Sequence, residues 1–210
     1  MKTLIAVPCF DHVPALFCQS LAQLQVVDNC TLAMKPGSLI YTARNDLATL
    51  AIKEECDYVF WLDSDMVFQP DILIRMFDSL KSLDCDFLTG LYFRRVPPYS
   101  PVLFDRLDID GTDCKWSEFK KIPDKPFEVG GCGFGCVLIK TDVFFDVQAK
   151  HGNMFAPAGN NGEDVAFCWR ARDCGYKIYC DPSITLGHVG YSVVDSQYFK
   201  VFGSGEHGSN

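Results

Sequence analysis

Two aspartates, Asp63 and Asp65, flank Ser64 at the end of the clearest buried strand in the sequence. Residues 57–62, directly before them, are Asp-Tyr-Val-Phe-Trp-Leu, a short apolar run that predicts a strand covered on both faces. Ligands of open α/β sheets bind at the carboxyl ends of strands, where two carboxylates can converge on one divalent cation. Oxygen ligands suit Mg2+ or Mn2+, whose other positions water and substrate phosphates can fill. Alternatively, these acids could be solvated in a turn or could cap the helix predicted from Pro70.

A second acidic pair, Glu163 and Asp164, opens a predicted helix that Gly175 ends. The N-terminus of a helix favours ionised carboxylates, because its backbone N–H groups give it a partial positive charge. Capping alone would therefore explain both acids. A carboxylate in this position can also accept a proton from a reacting hydroxyl group, which makes the pair a candidate for general-base chemistry.

Two further side chains could act together with these acids. Arg44 lies on a helix predicted over residues 39–55, where it could contact a diphosphate or a base, or could form a surface ion pair. His188 follows the last predicted strand and lies between Gly187 and the pair Val189-Gly190. Neighbouring glycines permit close approach of other groups, although a lone histidine is more often structural or exposed. Both interpretations of each residue stay open at this point.

Residues 130–135, Gly-Gly-Cys-Gly-Phe-Gly, form a glycine cluster that contains Gly-x-Gly. A dinucleotide-binding fingerprint follows a strand and opens a helix, whereas residues 136–139 predict a strand and the next helix begins only at Asp142. The cluster therefore fails as a dinucleotide motif. Its alternative role is a wall at which a ligand approaches the backbone closely, and which of the glycines contacts the ligand stays open at this point.

The elements that must position these residues alternate between strand and helix through the first half of the chain. Residues 3–8 predict a buried strand, whereas residues 24–34 have no clear pattern. Alternation is typical of a mostly parallel sheet that helices cover on both faces, so we expect an α/β fold. Without an internal repeat or a low-complexity linker, we expect one domain over residues 1–202 and a flexible tail over residues 203–210.

The composition restricts the partners of the chain. Its 210 residues include 19 Lys and Arg against 27 Asp and Glu, a net charge of −8. This balance argues against nucleic-acid binding, which needs cations to neutralise phosphates, but allows one phosphorylated small molecule whose charge a metal ion offsets. The sequence lacks the features of a signal peptide and a run of about 20 apolar residues. We therefore expect a cytoplasmic protein without a transmembrane segment.

The eleven cysteines do not predict a metal centre. Their spacings lack the paired Cys-x2-Cys of a structural zinc site. We expect most of them to be reduced and buried, as small apolar residues.

Four ordered segments over roughly residues 3–192 resemble one enzyme family. In sequence order they are Ile-Ala-Val-Pro-Cys-Phe-Asp (5–11), Ala-Arg-Asn (43–45), Asp-Ser-Asp (63–65), and Glu-Asp (163–164) with Arg170 and Gly175-Tyr176 after it. Together they resemble the family-2-type nucleotide-sugar glycosyltransferases. The resemblance implies the GT-A fold, a single Rossmann-like domain. The partial match of residues 27–30 to the family's Asp-Asp-Gly-Ser loop leaves the base of the nucleotide open.

The resemblance implies a metal-dependent transfer of a sugar from a UDP- or GDP-linked donor to an acceptor hydroxyl. It implies that Asp164 is the base of an inverting displacement and that Glu163 is a positioning or capping residue. If Asp164 instead only positions the acceptor, the reaction could be retaining. Mn2+ or Mg2+ would be held by Asp63, Asp65 and His188, because related metal-dependent enzymes complete Asp-x-Asp with a C-terminal His-x-Gly. The residues expected near the nucleotide sugar are Pro8, Arg44, Asp63, Ser64 and Gly131.

Two other functions are compatible with these motifs. A sugar-nucleotidyltransferase usually has a Gly-rich signature with Arg and Lys after its first strand, but residues 8–18 contain no Arg or Lys. A non-catalytic module that binds a nucleotide sugar or a carbohydrate would keep the binding residues and lack turnover. Acceptor-dependent release of free nucleotide separates such a module from a transferase.

Overall fold

The computed structural model describes residues 1–37, 39–110, 113–190 and 193–203, and strands and helices alternate through its first 90 residues. The strands of this part are β1 (Thr3–Cys9), β2 (Cys30–Pro36), β3 (Tyr58–Leu62), β4 (Met66–Val67) and β5 (Phe87–Leu91). The helices between them are α1 (Ala15–Ala22), α2 (Ile40–Lys53) and α3 (Ile72–Leu83). The first, third and fifth strands are nearly continuous apolar runs with buried side chains, as expected for strands covered on both faces.

The second half begins with consecutive strands and ends with helices and a small sheet. Its strands are β6 (Leu103–Asp110), β7 (Asp113–Glu118), β8 (Phe127–Val129), β9 (Gly131–Cys132), β10 (Cys136–Lys140), β11 (Ile178–Thr185), β12 (Gly187–Val189) and β13 (Val193–Val194). Its helices are α4 (Thr141–His151), α5 (Glu163–Asp173) and α6 (Ser196–Tyr198), and a π-helical turn spans Phe199–Gly203. Residues 204–210 of the predicted tail lie outside the described residues.

The central sheet has the strand order β2-β1-β3-β10-β5-β11-β8. Strands β2, β1 and β3 are parallel neighbours, as are β5 and β11. Strand β10 is inserted antiparallel between β3 and β5, and β8 is antiparallel at one edge. This topology confirms the predicted α/β class with a mostly parallel central sheet.

Two apolar clusters lie on opposite faces of this sheet, because successive side chains of a strand point to opposite sides. Leu4 and Ala6 of β1 belong to one cluster, together with side chains of α2, α4 and α5. Ile5 and Val7 belong to the other, with side chains of α1 and α3. Helices therefore cover both faces of the sheet, as predicted. None of the helices in the described part of the chain combines the length and hydrophobicity that a membrane span requires.

The eleven cysteines are all unpaired, and six of them are buried. Cys132 and Cys168 are close neighbours, with their Sγ atoms 3.9 Å apart. Burial raises the pKa of the Cys132, Cys136 and Cys180 thiols, so these side chains stay protonated near neutral pH. They behave as small apolar side chains of the core.

The glycine cluster packs tightly against neighbouring side chains. A Cβ atom at Gly133 would lie 2.1 Å from the hydroxyl oxygen of Tyr92 and 2.7 Å from Cγ1 of Val102. That hydroxyl oxygen in turn accepts a hydrogen bond of 3.1 Å from the backbone N–H of Gly135. The cluster therefore lets the buried Tyr92 side chain lie directly against the backbone.

We expect Gly133→Ala to lower the free energy of unfolding by about 1–3 kcal/mol, because the added methyl group overlaps buried atoms. Chemical denaturation measures this loss. The same substitution in a Tyr92→Phe background should cost less, since the nearest overlapping atom is then absent. Equal losses in the two backgrounds would contradict this packing.

Candidate functional site

A cavity of about 390 Å³ lies at the carboxyl ends of β1 and β3. Parallel strands place their following loops at this edge, which is the usual ligand side of an open α/β sheet. Seven residues that the sequence analysis selected line the cavity: Pro8, Arg44, Asp63, Ser64, Asp65, Glu163 and Asp164. The structure therefore brings together the strand-end acids, the helix arginine and the acidic pair of α5.

Backbone hydrogen bonds fix the turn that presents Asp63 and Asp65. The N–H of Asp63 donates to the Gly135 carbonyl (3.2 Å), and the N–H of Met66 donates to the Asp63 carbonyl (3.2 Å). After this turn β4 pairs with β12, where Met66 is the register partner of His188. The N–H of Val189 donates to the Asp65 carbonyl (2.8 Å). Strand pairing thus brings His188, which is distant in sequence, beside Asp65.

Arg44 is a buried cation, with only 2% of its surface exposed. Its Nη2 donates to Asp63 Oδ1 (2.8 Å) and its Nε donates to Glu163 Oε1 (3.0 Å). The guanidinium carbon lies 5.1 Å from the ring centre of Phe134 and 5.6 Å from that of Trp61, within cation–π range. Arg44 therefore connects the end of β3 to the start of α5.

Burial by itself would lower the pKa of the Arg44 guanidinium, but the negative charges of Asp63 and Glu163 outweigh it and raise that pKa. Arg44 is thus charged at any physiological pH. Its Nη1 is buried, and no described group accepts a hydrogen bond from it. Two of its three nitrogens hold carboxylates in place, so the guanidinium pairs mainly with groups of the protein itself.

Asp164 has the electrostatic surroundings of a proton acceptor. Burial, followed by the charge of Glu163, raises the pKa of its carboxyl to about 6, although Arg44 and the Val165 N–H act in the opposite direction. That N–H donates to Asp164 Oδ1 (2.8 Å), which leaves Oδ2 for another partner. A carboxylate with a pKa close to the working pH is well matched to general-base chemistry.

The carboxylate of Asp65 has two cationic or potentially cationic neighbours. His188 Nε2 lies 3.3 Å from Asp65 Oδ2, and Arg95 Nη1 lies 2.7 Å from the same oxygen. His188 Nδ1 is 2.9 Å from the carbonyl oxygen of Phe93, to which it can donate. Burial alone would lower the pKa of His188, but Asp65 and this carbonyl more than compensate and raise it. With Nδ1 as the donor, neutral His188 presents Nε2 as a ligand.

The predicted metal ligands come together only in part. Asp65 and His188 are in contact, whereas Asp63 directs its carboxylate to Arg44. Over the described ranges, no three His, Cys, Asp or Glu side chains form a group that could hold a metal ion. Mg2+ and Mn2+ often use one or two protein ligands together with water and phosphate oxygens. The chemistry of the Asp65–His188 pair is compatible with that mode of binding.

The structure gives Gly131 a different environment from the cavity. Gly131 is buried in β9, where an added Cβ would lie 2.8 Å from Leu107 Cδ2 and 3.3 Å from Cys168 Cβ. It packs β9 against β6 and α5 and is absent from the cavity lining. The sequence pattern indicated close approach at this glycine, and the approaching atoms are those of the protein itself.

Half of the fourteen lining residues were not predicted as site residues, and three of these, Phe10, His12 and Arg95, have aromatic or basic side chains. Phe10 and His12 follow β1 at the same edge of the sheet, and Phe10 is 76% exposed. Their position directly after a buried strand is the signal that could have found them. Arg95 follows β5 and belongs to no motif. The sequence signal for it is therefore only a positively charged residue that comes shortly after the end of another strand.

No protein-family model matches the sequence, and no curated protein matches it. Among solved structures, the chain is similar to A197 from STIV, with a TM-score of 0.65 and 18% sequence identity. The similarity covers 90% of this chain and 86% of that one. At this level of identity the comparison shows a common fold.

Proposed function

We propose that the protein is a metal-dependent glycosyltransferase of the GT-A fold, which moves a sugar from a UDP- or GDP-linked donor to an acceptor hydroxyl. One observation supports this best: a single cavity is lined by Asp164 and by Asp65, whose carboxylate is 3.3 Å from His188. Such a reaction needs a proton acceptor and cationic stabilisation of a leaving diphosphate, and both can be built from these residues.

Asp65 and His188 would hold Mn2+ or Mg2+. The metal, when bound, supplies positive charge to the diphosphate of the donor. Arg95 is half exposed in the same cavity. Its guanidinium can release Asp65 and bind phosphate oxygens of the donor instead, because its planar group suits the geometry of phosphate. Arg44 keeps Asp63 fixed, and so holds the turn that presents Ser64 and Asp65.

Asp164 would take the proton of the acceptor hydroxyl. The hydroxyl oxygen forms a bond to the anomeric carbon while the bond from that carbon to the diphosphate oxygen breaks. The electron pair leaves with the diphosphate, and the proton moves to the Asp164 carboxylate. Glu163, which Arg44 holds at 3.0 Å, adds the negative charge that keeps Asp164 basic. The direct displacement inverts the configuration of the sugar.

Nucleotide binding tests the metal-dependent part of the proposal. We expect Mn2+ to tighten the binding of UDP or GDP by about tenfold or more in calorimetric titrations, because a cation held by Asp65 and His188 would offset the negative charge of the diphosphate. Asp65→Ala and His188→Ala should each remove this Mn2+-dependent increase in nucleotide affinity.

Asp78→Ala is the matched control, since Asp78 is exposed on α3 and absent from the cavity lining. This variant should bind the nucleotide with the same gain from Mn2+ as the unmodified chain. Equal affinities with Mn2+ and with a chelator, in the unmodified chain, would reject the proposal.

A further inference from the structure

A second and larger cavity, of about 600 Å³, lies at the carboxyl ends of β5 and β11. It therefore opens on the same edge of the central sheet as the candidate active site. Phe93 links the two places, because its carbonyl oxygen contacts His188 and the residue also lines the second cavity. A ligand bound there would lie beside the candidate active site.

The floor of the second cavity is apolar and partly aromatic. Phe93 stacks on Phe199 of the π-helical turn, with ring centres 4.9 Å apart and an interplanar angle of 22°. Leu91 and Ile122 extend this apolar lining. Cavities of this size and character accommodate the apolar body of a small organic ligand.

The rim of the same cavity is cationic, although the chain as a whole has a charge of −8. Three lysines line it, Lys120, Lys121 and Lys200, against one acid, Asp124, among the described lining residues. Lys120 and Lys121 are exposed and form no ion pair with a carboxylate in the described ranges. The cavity thus combines an apolar floor with an excess of ammonium groups.

We propose that this cavity binds a small amphipathic anion, an aromatic or aliphatic body with one phosphate or carboxylate group. The apolar body would cover the Phe93–Phe199 stack, and the anionic group would be paired by Lys120 and Lys121. Lysine ammonium groups are common ligands of phosphate and carboxylate. The assignment concerns binding and does not depend on the transfer reaction.

The test uses 1-naphthyl phosphate as the probe, with 1-naphthol and inorganic phosphate as its two halves. In calorimetric titrations, we expect naphthyl phosphate to bind at least about tenfold more tightly than either half, because it alone contacts both the apolar floor and the lysines of the rim. Lys120→Glu combined with Lys121→Glu should weaken this binding by about tenfold or more. Lys125→Glu is the matched control: it changes a lysine of the same segment that does not line the cavity, and should leave the affinity unchanged.

Three results would overturn the proposal. The first is an affinity that the Lys120 and Lys121 changes do not alter. The second is loss of binding in Arg95→Ala, which would put the probe in the candidate active site. The third is retention of the protein by phosphatidylglycerol vesicles without binding of the soluble probe. If the protein binds naphthyl phosphate but no nucleotide, the proposed function is rejected, whereas the proposal for this cavity is supported.

Discussion

Replacing Asp164 with asparagine should lower the turnover of the protein by about 10²–10⁴-fold, because the amide cannot accept the proton of the acceptor hydroxyl. Asparagine keeps the shape of the side chain and can still accept the hydrogen bond from the Val165 N–H. The measurement is release of free UDP or GDP from a panel of donors in the presence of acceptors. Turnover that persists in Asp164→Asn would exclude this residue as the base.

The pH dependence of the unmodified chain follows from the same carboxyl. Its pKa is raised to about 6, and only the ionised form can act as a base. Turnover should therefore rise about tenfold per pH unit below this value and level off above it. The matched control is Asp142→Asn, because Asp142 also opens a helix but is absent from the cavity lining. We expect this variant to keep the pH profile.

Asp164→Asn should also stabilise the protein near pH 7–8. A carboxyl whose pKa is raised by folding favours the folded state below its unfolded pKa, and this contribution is lost as the pH rises through about 6. Above that pH the ionised carboxylate opposes folding by about 1–2 kcal/mol, allowing for its partial exposure. The variant should therefore melt roughly 3–6 °C higher at pH 8 and show little difference at pH 4.

Replacing Arg44 with methionine should destabilise the protein by about 3 kcal/mol or more near pH 7–8. The substitution removes the cation that holds Asp63 and Glu163, and leaves two partly buried carboxylates without their partner. Chemical denaturation near pH 7.5 measures the effect.

Lys35→Met is the control for this substitution. Lys35 pairs with Asp46 of α2 at 2.8 Å, but the side chains of both partners are more than 40% exposed. Exposed pairs of this kind contribute about 0–1 kcal/mol. If Arg44→Met cost no more than Lys35→Met, the buried ion pairs would have no special role in stability.

The apolar pattern of the sequence was sufficient to predict the strands that helices cover on both sides. Such strands must be apolar along nearly their whole length, and β1 and β3 meet this condition. Strand β2 shows why other strands were harder to predict. It lies at the edge of the sheet with partly exposed side chains, so its pairing with β1 depends on backbone hydrogen bonds that leave little trace in the sequence.

The candidate site was predictable where residues lie directly after buried strands. Asp63 and Asp65 follow such a strand directly, whereas the roles predicted for Asp164 and His188 depended on the resemblance. The role of Arg44 was harder to foresee, because a helix position does not reveal that two carboxylates will face it. Gly131 shows the opposite problem: a glycine signals close approach, but the sequence does not say whether a ligand or the protein approaches.

The pairing of β4 with β12 has a consequence for the order in which the protein is assembled. A chain still emerging from the ribosome can pair β1 with β2 and with β3 early, since these three strands are close in sequence. The partner strand of β4 is synthesised only after β11. The contact between Asp65 and His188 is therefore available only after β12 has been translated, and any activity that needs it cannot begin before that point.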